Sequence, residues 1–393
     1  MSPLVVNLWG HLGGGFGLGE GALCTARALA AAGLAVQFRD LPLASHPGAA
    51  PAQAPAALPA AIDLLHTNPN VLRQTDGLVE RLALEAPLRI GYWAWELEAF
   101  PDGWEVGFGG LDQLWCPSPF CATALGQRSP LPVTPLPHCL DWVRADRLAQ
   151  RRADQARADG RARRRPFTVF YAFDFWSTRS RKNPDGVIAA FLAAFPPGGK
   201  QAARLVLKLG SADQFPDATA DLAERCAADP RIQLITSHLS TDGVDALYSQ
   251  ADVLLSLHRA EGFGLLLAEA MAAGIPAVAS GYGGNLCFMP PGAAELVPCR
   301  RVRIAHSEGD YRAGWHWAEP DLDLAAAALR RLAENPGDAA RLGAAGRRAV
   351  REALDPDGLA ALVAERIGSL LRWGGRAEVL NALPERHPLR QLQ

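Results

Sequence analysis

The chain has 393 residues, 49% of them hydrophobic and 20% charged, with a formal net charge of −2 and seven cysteines. That length suits two domains with a sizeable core, and the near-neutral charge removes the electrostatic case for a nucleic-acid partner, which asks for a strongly basic face. An odd cysteine count with no C-x-x-C pair argues against a disulfide scaffold or a zinc site, and no segment reaches the ~18 uninterrupted apolar residues of a membrane span.

The N-terminus, MSPLVVNLWG, has no basic leader before a long apolar run, so a cytoplasmic protein is expected. Residues 4–9 read as a first strand, followed by the glycine loop HLGGGFGLGEG and an alanine-rich helix over about 22–32. A second strand covers 36–40. Residues 44–61, rich in proline and alanine, read as a mobile surface excursion. Candidate strands follow at 62–65, 88–93 and 113–116. The arginine-rich stretch 144–165 carries few apolar side chains and reads as a solvated helix or tether, which puts a domain boundary there. A second series then begins: strand 168–171, helix near 186–194, strand 204–209, helix 219–228, strand 232–235, helix near 242–250 and strand 253–257. Strands alternating with helices predict parallel, doubly wound sheets. Two such series predict an α/β protein of two facing Rossmann-like domains with a cleft between them. Their spans are 1–160 and 161–375, with a tail over 376–393 packing back on the first.

The stretch HRAEGFGLLLAEAMAAGIP, 258–276, follows the last of these strands and reads as a glycine turn and a helix ending at Gly274-Ile275-Pro276. Glu261 and Glu269 are eight positions apart, about 12 Å along a helix and within roughly 80° of one face, so both can border one cleft. Between them Gly262-Phe263-Gly264 brings backbone amides to a helix N-terminus, which suits a diphosphate. Carboxylates suit hydroxyls, so sugar hydroxyls are assigned to Glu261 and ribose hydroxyls to Glu269.

The loop FDFWSTRSRKNPDG, 173–186, follows the first strand of the second series and belongs at the same carboxyl end of the sheet. Arg179, Arg181 and Lys182 are placed there to neutralise a departing diphosphate. Lysine occurs only at 182, 200 and 208, which sets Lys182 apart. In the first domain, Gly17 to Ala22 formally matches G-x-G-x-x-A with Asp40 about 20 residues on, a dinucleotide fingerprint. Seven residues separate that match from the first strand. A long loop with Gly14 and Gly15 at its centre would instead let backbone approach a diphosphate. In GYWAWELEAFPDGW, Glu96 and Glu98 sit among aromatics, where tryptophan faces suit either a sugar ring or the core. There is no H-E-x-x-H and no G-x-S-x-G, and nine histidines show no ligand spacing. No metal site is expected. His11 and His138 stand out by position, while His258 reads as a structural hydrogen-bonder.

Glu261, seven residues (GFGLLLA) and Glu269, together with SRKNP, SLHRAEGFG, SGYGGN at 280–285 and WAEPD at 317–321, resemble the retaining GT-B glycosyltransferases of the E-x7-E group, glycosyltransferase family four. The likeness runs over nearly the whole chain and is nearest to bacterial members that build surface polysaccharides. It implies a metal-independent hexosyltransferase without a cofactor, using GDP-mannose or a UDP-hexose as co-substrate and a glycan or lipid-linked acceptor. It implies that Glu261 contacts the donor sugar, Glu269 the ribose, and Lys182 with Arg179 or Arg181 the diphosphate. Many members place the arginine several residues before the lysine, where this chain has Asp174, Phe175 and Trp176. The usual first-domain histidine is absent, and Trp95 or Glu96 stands near its position. Peripheral contact with the inner face of a membrane through 144–165 is a further expectation. The rival readings are an NAD(P)-dependent dehydrogenase and a non-catalytic sugar-nucleotide-binding module.

Overall fold

The computed structural model describes residues 4–13, 15–43, 45–46, 48, 58–74, 84, 86–159, 165–199 and 201–373. They form two units, one of residues 1–140 and 354–393 and the other of residues 141–353.

The first unit is built on a parallel sheet of β1 (Val5–Gly10), β2 (Ala35–Asp40), β3 (Ile62–His66), β4 (Leu88–Tyr92), β5 (Gln113–Cys116) and β6 (Val133–Pro135), in the order β2-β1-β3-β4-β5-β6. β1 and β3 are buried on both faces, as parallel strands covered by helices should be, and their polar members Asn7 and Asp63 are bonded to each other at 2.9 Å. Helix α1 (Gly17–Ala31) leads from β1 to β2. Short helices α2 (Pro69–Gln74) and α3 (Pro119–Leu125) follow β3 and β5.

The second unit repeats the plan with β7 (Phe167–Asp174), β8 (Ala203–Gly210), β9 (Ile232–Ile235), β10 (Val253–Ser256), β11 (Ala277–Ser280) and β12 (Glu295–Val297), ordered β12-β11-β10-β7-β8-β9 and again parallel. Its helices are α4 (Trp142–Asp159), the single turn α5 (Arg179–Lys182), α6 (Pro184–Ala194), α7 (Pro216–Ala227), α8 (Thr241–Gln250), α9 (Leu265–Ala272), α10 (Leu322–Glu334) and α11 (Pro336–Ala353). An antiparallel hairpin of β13 (Cys299–Arg303) and β14 (His316–Pro320) is added after β12. The core runs through Val169, Leu205, Val253, Leu255 and Val278 of the sheet to Val187, Phe191 and Leu329 of the covering helices.

Two expected boundaries move. The units divide at 140/141 rather than 160/161, because α4 is no tether. Trp142, Ala145 and Leu148, three residues apart, are buried, and the helix packs on α8 and α9. Arg152 donates to the carbonyls of Tyr248 and Ala251 at the end of α8, a C-cap supplied from another helix. At the other end it is α12 (Pro356–Trp373) that returns to the first unit and packs on α1. The tail over 376–393 and most of the 44–61 excursion lie outside the described residues.

Candidate active site

Parallel sheets collect ligands where the strand order reverses, outside the carboxyl ends of the strands. In the second unit the reversal falls between the neighbours β7 and β10. The loops 175–183 and 257–264 leave the sheet there.

The β7 loop is held in shape by its own polar groups. The Asp174 carboxylate accepts from Trp176 N and Ser211 Oγ, both at 2.8 Å. Thr178 has φ 60°, a strained conformation for a β-branched residue. Asn183, at φ 53°, closes α5, accepts from Gly186 N at 3.1 Å and donates to Leu257 O at 2.8 Å, so the two loops are stitched together. Arg259 N donates to Arg181 O at 2.8 Å, and the buried Tyr171 hydroxyl donates to Lys182 O at 2.6 Å.

With both backbones fixed, the side chains meet. Lys182 Nζ lies 2.5 Å from Glu261 Oε2, with 19% and 14% of the two side chains exposed. Arg181 Nη1 is 3.6 Å from the same oxygen and donates to Ala260 O at 3.0 Å, while Arg181 Nε donates to Ser177 O at 3.0 Å. Burial alone would raise the Glu261 carboxyl, but Lys182 and Arg181 outweigh it and hold the group at about 2. The β11 loop approaches the same residue. Gly284 N donates to Glu261 O at 2.7 Å, and a Cβ on Gly283, at φ 103°, would lie 2.7 Å from that oxygen, so only glycine fits. Gly264, at φ 89°, opens α9 without a side-chain cap, and the first-turn amides of α9 have no partner within the helix. Gly262, Phe263 and Gly264 are all buried, with Phe263 packed on Phe288. Two buried oxygens lack a hydrogen-bond partner, Asn285 Oδ1 beside this turn and Thr178 Oγ1 in the β7 loop.

Farther along α9, Glu269 Oε1 accepts from Arg144 Nη1 and Oε2 from the Tyr248 hydroxyl, each at 2.9 Å. Arg179 points elsewhere. Its guanidinium binds Asp185 at 2.9–3.0 Å and Asp221 at 2.6 Å. Of the two arginines left open by the sequence, Arg181 is therefore the one beside Lys182 and Glu261. His258 has both ring nitrogens engaged, by Ser256 Oγ at 3.1 Å and Tyr282 O at 3.0 Å, the structural role expected of it.

The first-unit candidates have surroundings of their own. Glu96 is half-buried in the turn after β4. Trp93 and Trp95 are 2% exposed and pack against Trp104 and Phe108, so they are core. Gly14 lies outside the described residues, and Gly15 is exposed with nothing near a built Cβ. The residues 17–22 that match a dinucleotide fingerprint are inside α1 rather than in a strand-to-helix turn. Asp40 accepts from Leu12 N at 2.9 Å, bracing the glycine loop. The reversal of this sheet, between β1 and β3, is filled by histidines instead. His11 bonds to Leu41 O at 2.6 Å and Thr67 Oγ1 at 2.9 Å, and His66 stacks on Tyr92 at 4.0 Å and bonds to Thr25 Oγ1 at 3.1 Å. His138 lies 3.4 Å from the Tyr92 hydroxyl.

Sequence reasoning missed Arg144, Tyr248 and the β13–β14 hairpin. The hairpin braces the site: Arg259 pairs with Glu319 at 2.6 Å, Ser180 Oγ donates to Glu308, and Tyr311 lies under the Arg181 guanidinium. Among the described residues, no group of three or more His, Cys, Asp or Glu is placed to hold a metal ion, and no helix is long and apolar enough to cross a membrane.

Residues 179–349 match the family model described as glycosyl transferases group 1. No curated protein matches the chain in sequence. Among solved structures it is similar to sucrose-phosphate synthase from Thermosynechococcus elongatus, with TM-score 0.64, 17% identity and coverage of 94% of this chain and 99% of that one. Anabaena Alr3699/HepE in complex with UDP-glucose gives TM-score 0.63 and 14% identity over 93% and 100%. A point mutant of S. aureus TarM, solved with fondaparinux, alpha-GlcNAc-glycerol and UDP, gives TM-score 0.52 and 12% identity over 76% of this chain and 53% of that one, so the chain spans about half of it. The fold is GT-B.

Proposed function

Because residues 179–349 match the group 1 glycosyl transferases, we propose that the protein transfers a hexosyl group from a nucleoside-diphosphate sugar to a glycan or lipid-linked acceptor, with retention of anomeric configuration. The observation that carries this reading is the Lys182–Glu261 contact of 2.5 Å at the β7/β10 reversal, with Arg181 behind it and the start of α9 beside it. In this reading Lys182, Arg181 and the first amides of α9 receive the diphosphate. On donor binding Lys182 shifts part of its charge from Glu261 to the leaving oxygens, and Glu261 is released to accept from a sugar hydroxyl. The C–O bond to the diphosphate breaks as the acceptor oxygen attacks from the same face, and the acceptor proton passes to the departing phosphate. Catalysis is then orientation and fixed charge, with no protein nucleophile. The cationic side chains carry the role a divalent metal takes in other transferases. Relatives solved with UDP and UDP-glucose support a UDP-hexose donor. A place in surface-polysaccharide synthesis, in the cytoplasm or at the inner membrane face, goes with that acceptor class.

Thermal shift with UDP, GDP and NAD separates this reading from a dehydrogenase, since a ligand at 100 times its Kd adds about 2.7 kcal/mol to the folded state. Stabilisation by UDP or GDP, with donor turnover that survives EDTA, is the expected outcome. Stabilisation by NAD alone overturns the reading, and binding of donor without turnover reduces the protein to a sugar-nucleotide-binding module.

A further inference from the structure

Glu269 is held more tightly than a ribose acceptor on an open helix face needs to be. Arg144 reaches it from 125 positions earlier in the chain. The same guanidinium gives Nε and Nη2 to Asp245 Oδ1, each at 2.8 Å, and sits 5.9 Å from the centre of the Tyr248 ring. Its backbone N–H donates to Asp141 Oδ1 at 2.9 Å, which fixes the start of α4. Arg144 is therefore anchored at its backbone and at both edges of its planar fork. Burial and the neighbouring Glu269 push the Tyr248 phenol above its ordinary value, so it stays an O–H donor to Glu269 Oε2.

The arrangement is graded outward. Asp245 is 6% exposed, Arg144 19% and Glu269 25%. A carboxylate offers about four acceptor positions, and Arg144 and Tyr248 occupy one on each oxygen, which leaves about one on each for two neighbouring hydroxyls. A glutamate free to rotate would have to be ordered by the ligand, which weakens binding; one already ordered would not.

We infer that Arg144 is a positioning residue for nucleotide recognition: by bridging Asp245 and Glu269 it fixes the Glu269 carboxylate with its open acceptor positions turned toward a ribose diol. This rests on the assignment of Glu269 to ribose in the proposed function. A purely structural tie between α4, α8 and α9 would affect all ligands of the site alike. A positioning role affects only those with ribose hydroxyls.

The test is calorimetric titration of the full chain with UDP and GDP, their 2′-deoxy and 3′-deoxy counterparts, and inorganic pyrophosphate. In the wild type, loss of a hydroxyl that donates to a charged acceptor should weaken binding by about tenfold or more. In Arg144→Gln, UDP or GDP should bind about tenfold more weakly, the ratio of ribo to deoxy affinity should fall to about one, and pyrophosphate should bind as before. Arg144→Lys, which restores the cation without the fork, should recover part of the ratio. Should Arg144→Gln fail to fold, Asp245→Asn loosens the far edge of the guanidinium and should lower the same ratio. A ratio unchanged in the folded variant overturns the inference, whatever happens to overall affinity. A wild type that binds UDP or GDP but ignores the missing hydroxyls removes the ribose role of Glu269 and this inference with it. One that binds neither nucleotide removes the donor-site reading itself.

Discussion

Each unit of the chain reverses its strand order once, between β1 and β3 and between β7 and β10, and the two reversals are furnished in opposite ways. At the first, the polar groups are imidazoles turned inward on protein partners: His11 on Leu41 O and Thr67, His66 on Thr25 and Tyr92, and His138 on Tyr92. Burial pushes His138 down to about 3 and lowers His66 and His11 as well, so these rings are neutral at neutral pH. At the second reversal Glu261 is largely buried too, with 14% of its side chain exposed, but it has two cations within 3.6 Å and keeps its charge. A reversal offers space and diverging loops; what decides whether charge can be handled there is the presence of a counter-charge. On that basis the proposed diphosphate site is assigned to the second unit, whereas the histidines at the corresponding place in the first offer neutral hydrogen bonds.

The largest expected effect comes from removing the charge at the second reversal. Lys182→Ala should lower kcat by about 10² to 10³ while donor binding weakens less, because negative charge on the leaving diphosphate grows mainly in the transition state. Lys182 is largely buried against Glu261 rather than extended into solvent. At 19% exposure and 2.5 Å from Glu261, its loss should also cost about 1 kcal/mol of stability, since it leaves Glu261 with Arg181 at 3.6 Å as its counter-charge among the described residues. Steady-state kinetics on protein whose melting has been checked measures both. Turnover within about threefold of wild type would make Lys182 a structural partner of Glu261 and leave the leaving group to Arg181.

Acidification should separate the two regions next. A buried histidine with a lowered pKa is neutral when folded, whereas the unfolded chain takes up a proton near pH 6.5. Stability contributed by that burial is therefore lost as pH falls below about 6.5, by up to about 1.4 kcal/mol per pH unit for each ring. Among the described residues the first unit has three such rings, and the second has His258. Glu261 has the opposite sign and a different window. Its depressed pKa gives stability that is intact above about 4.5 and declines only as pH falls toward 2. Amide exchange between pH 7 and 5 should therefore show β1, β3 and β4 opening before β7 and β10, and His138→Gln should flatten the difference. Equal acid sensitivity of both sheets would mean that the imidazoles are not the neutral groups their burial implies.

The second region was far more legible in the sequence than the first. The apolar run 253–257, the Gly-Phe-Gly turn and the helix formers that follow specify strand, turn and helix through local signals, and the structure places them at Val253–Ser256 and Leu265–Ala272. Lys182 and Glu261 could be paired because both follow carboxyl ends of strands in one sheet. Arg144 could not be paired with Glu269 in the same way: its partner lies 125 residues on, and α4 looks polar by composition. The usable signal was the spacing of Trp142, Ala145 and Leu148, an i, i+3 stripe concealed by arginines whose stems and guanidinium groups also pack. The hairpin β13–β14 escaped because a 12-residue connection, 304–315, replaces the short turn that marks a hairpin. In the first unit, G-x-G-x-x-A promised a ligand loop, but a glycine pattern does not distinguish a loop from the first turns of an alanine-rich helix.

The smallest expected effect marks the edge of the charged region. Sequence position made Arg179 as good a diphosphate ligand as Arg181, yet its guanidinium is shared between Asp185 and Asp221, and Arg225 joins the same two carboxylates at 3.3 and 3.2 Å. To reach a phosphate Arg179 would have to leave two carboxylates, whereas Lys182 leaves one and Arg181 need not move. Arg179→Ala should therefore leave UDP or GDP affinity and kcat within about twofold of wild type. Stability should change little, because the ion pairs lost are largely solvated and screened by salt. A tenfold or larger loss of nucleotide affinity would show that the Asp185–Asp221 pairing is a resting state from which Arg179 turns toward the donor. The charged region would then extend one helical turn farther along the β7 loop, and the contrast between the two reversals would be wider than the fixed side chains suggest.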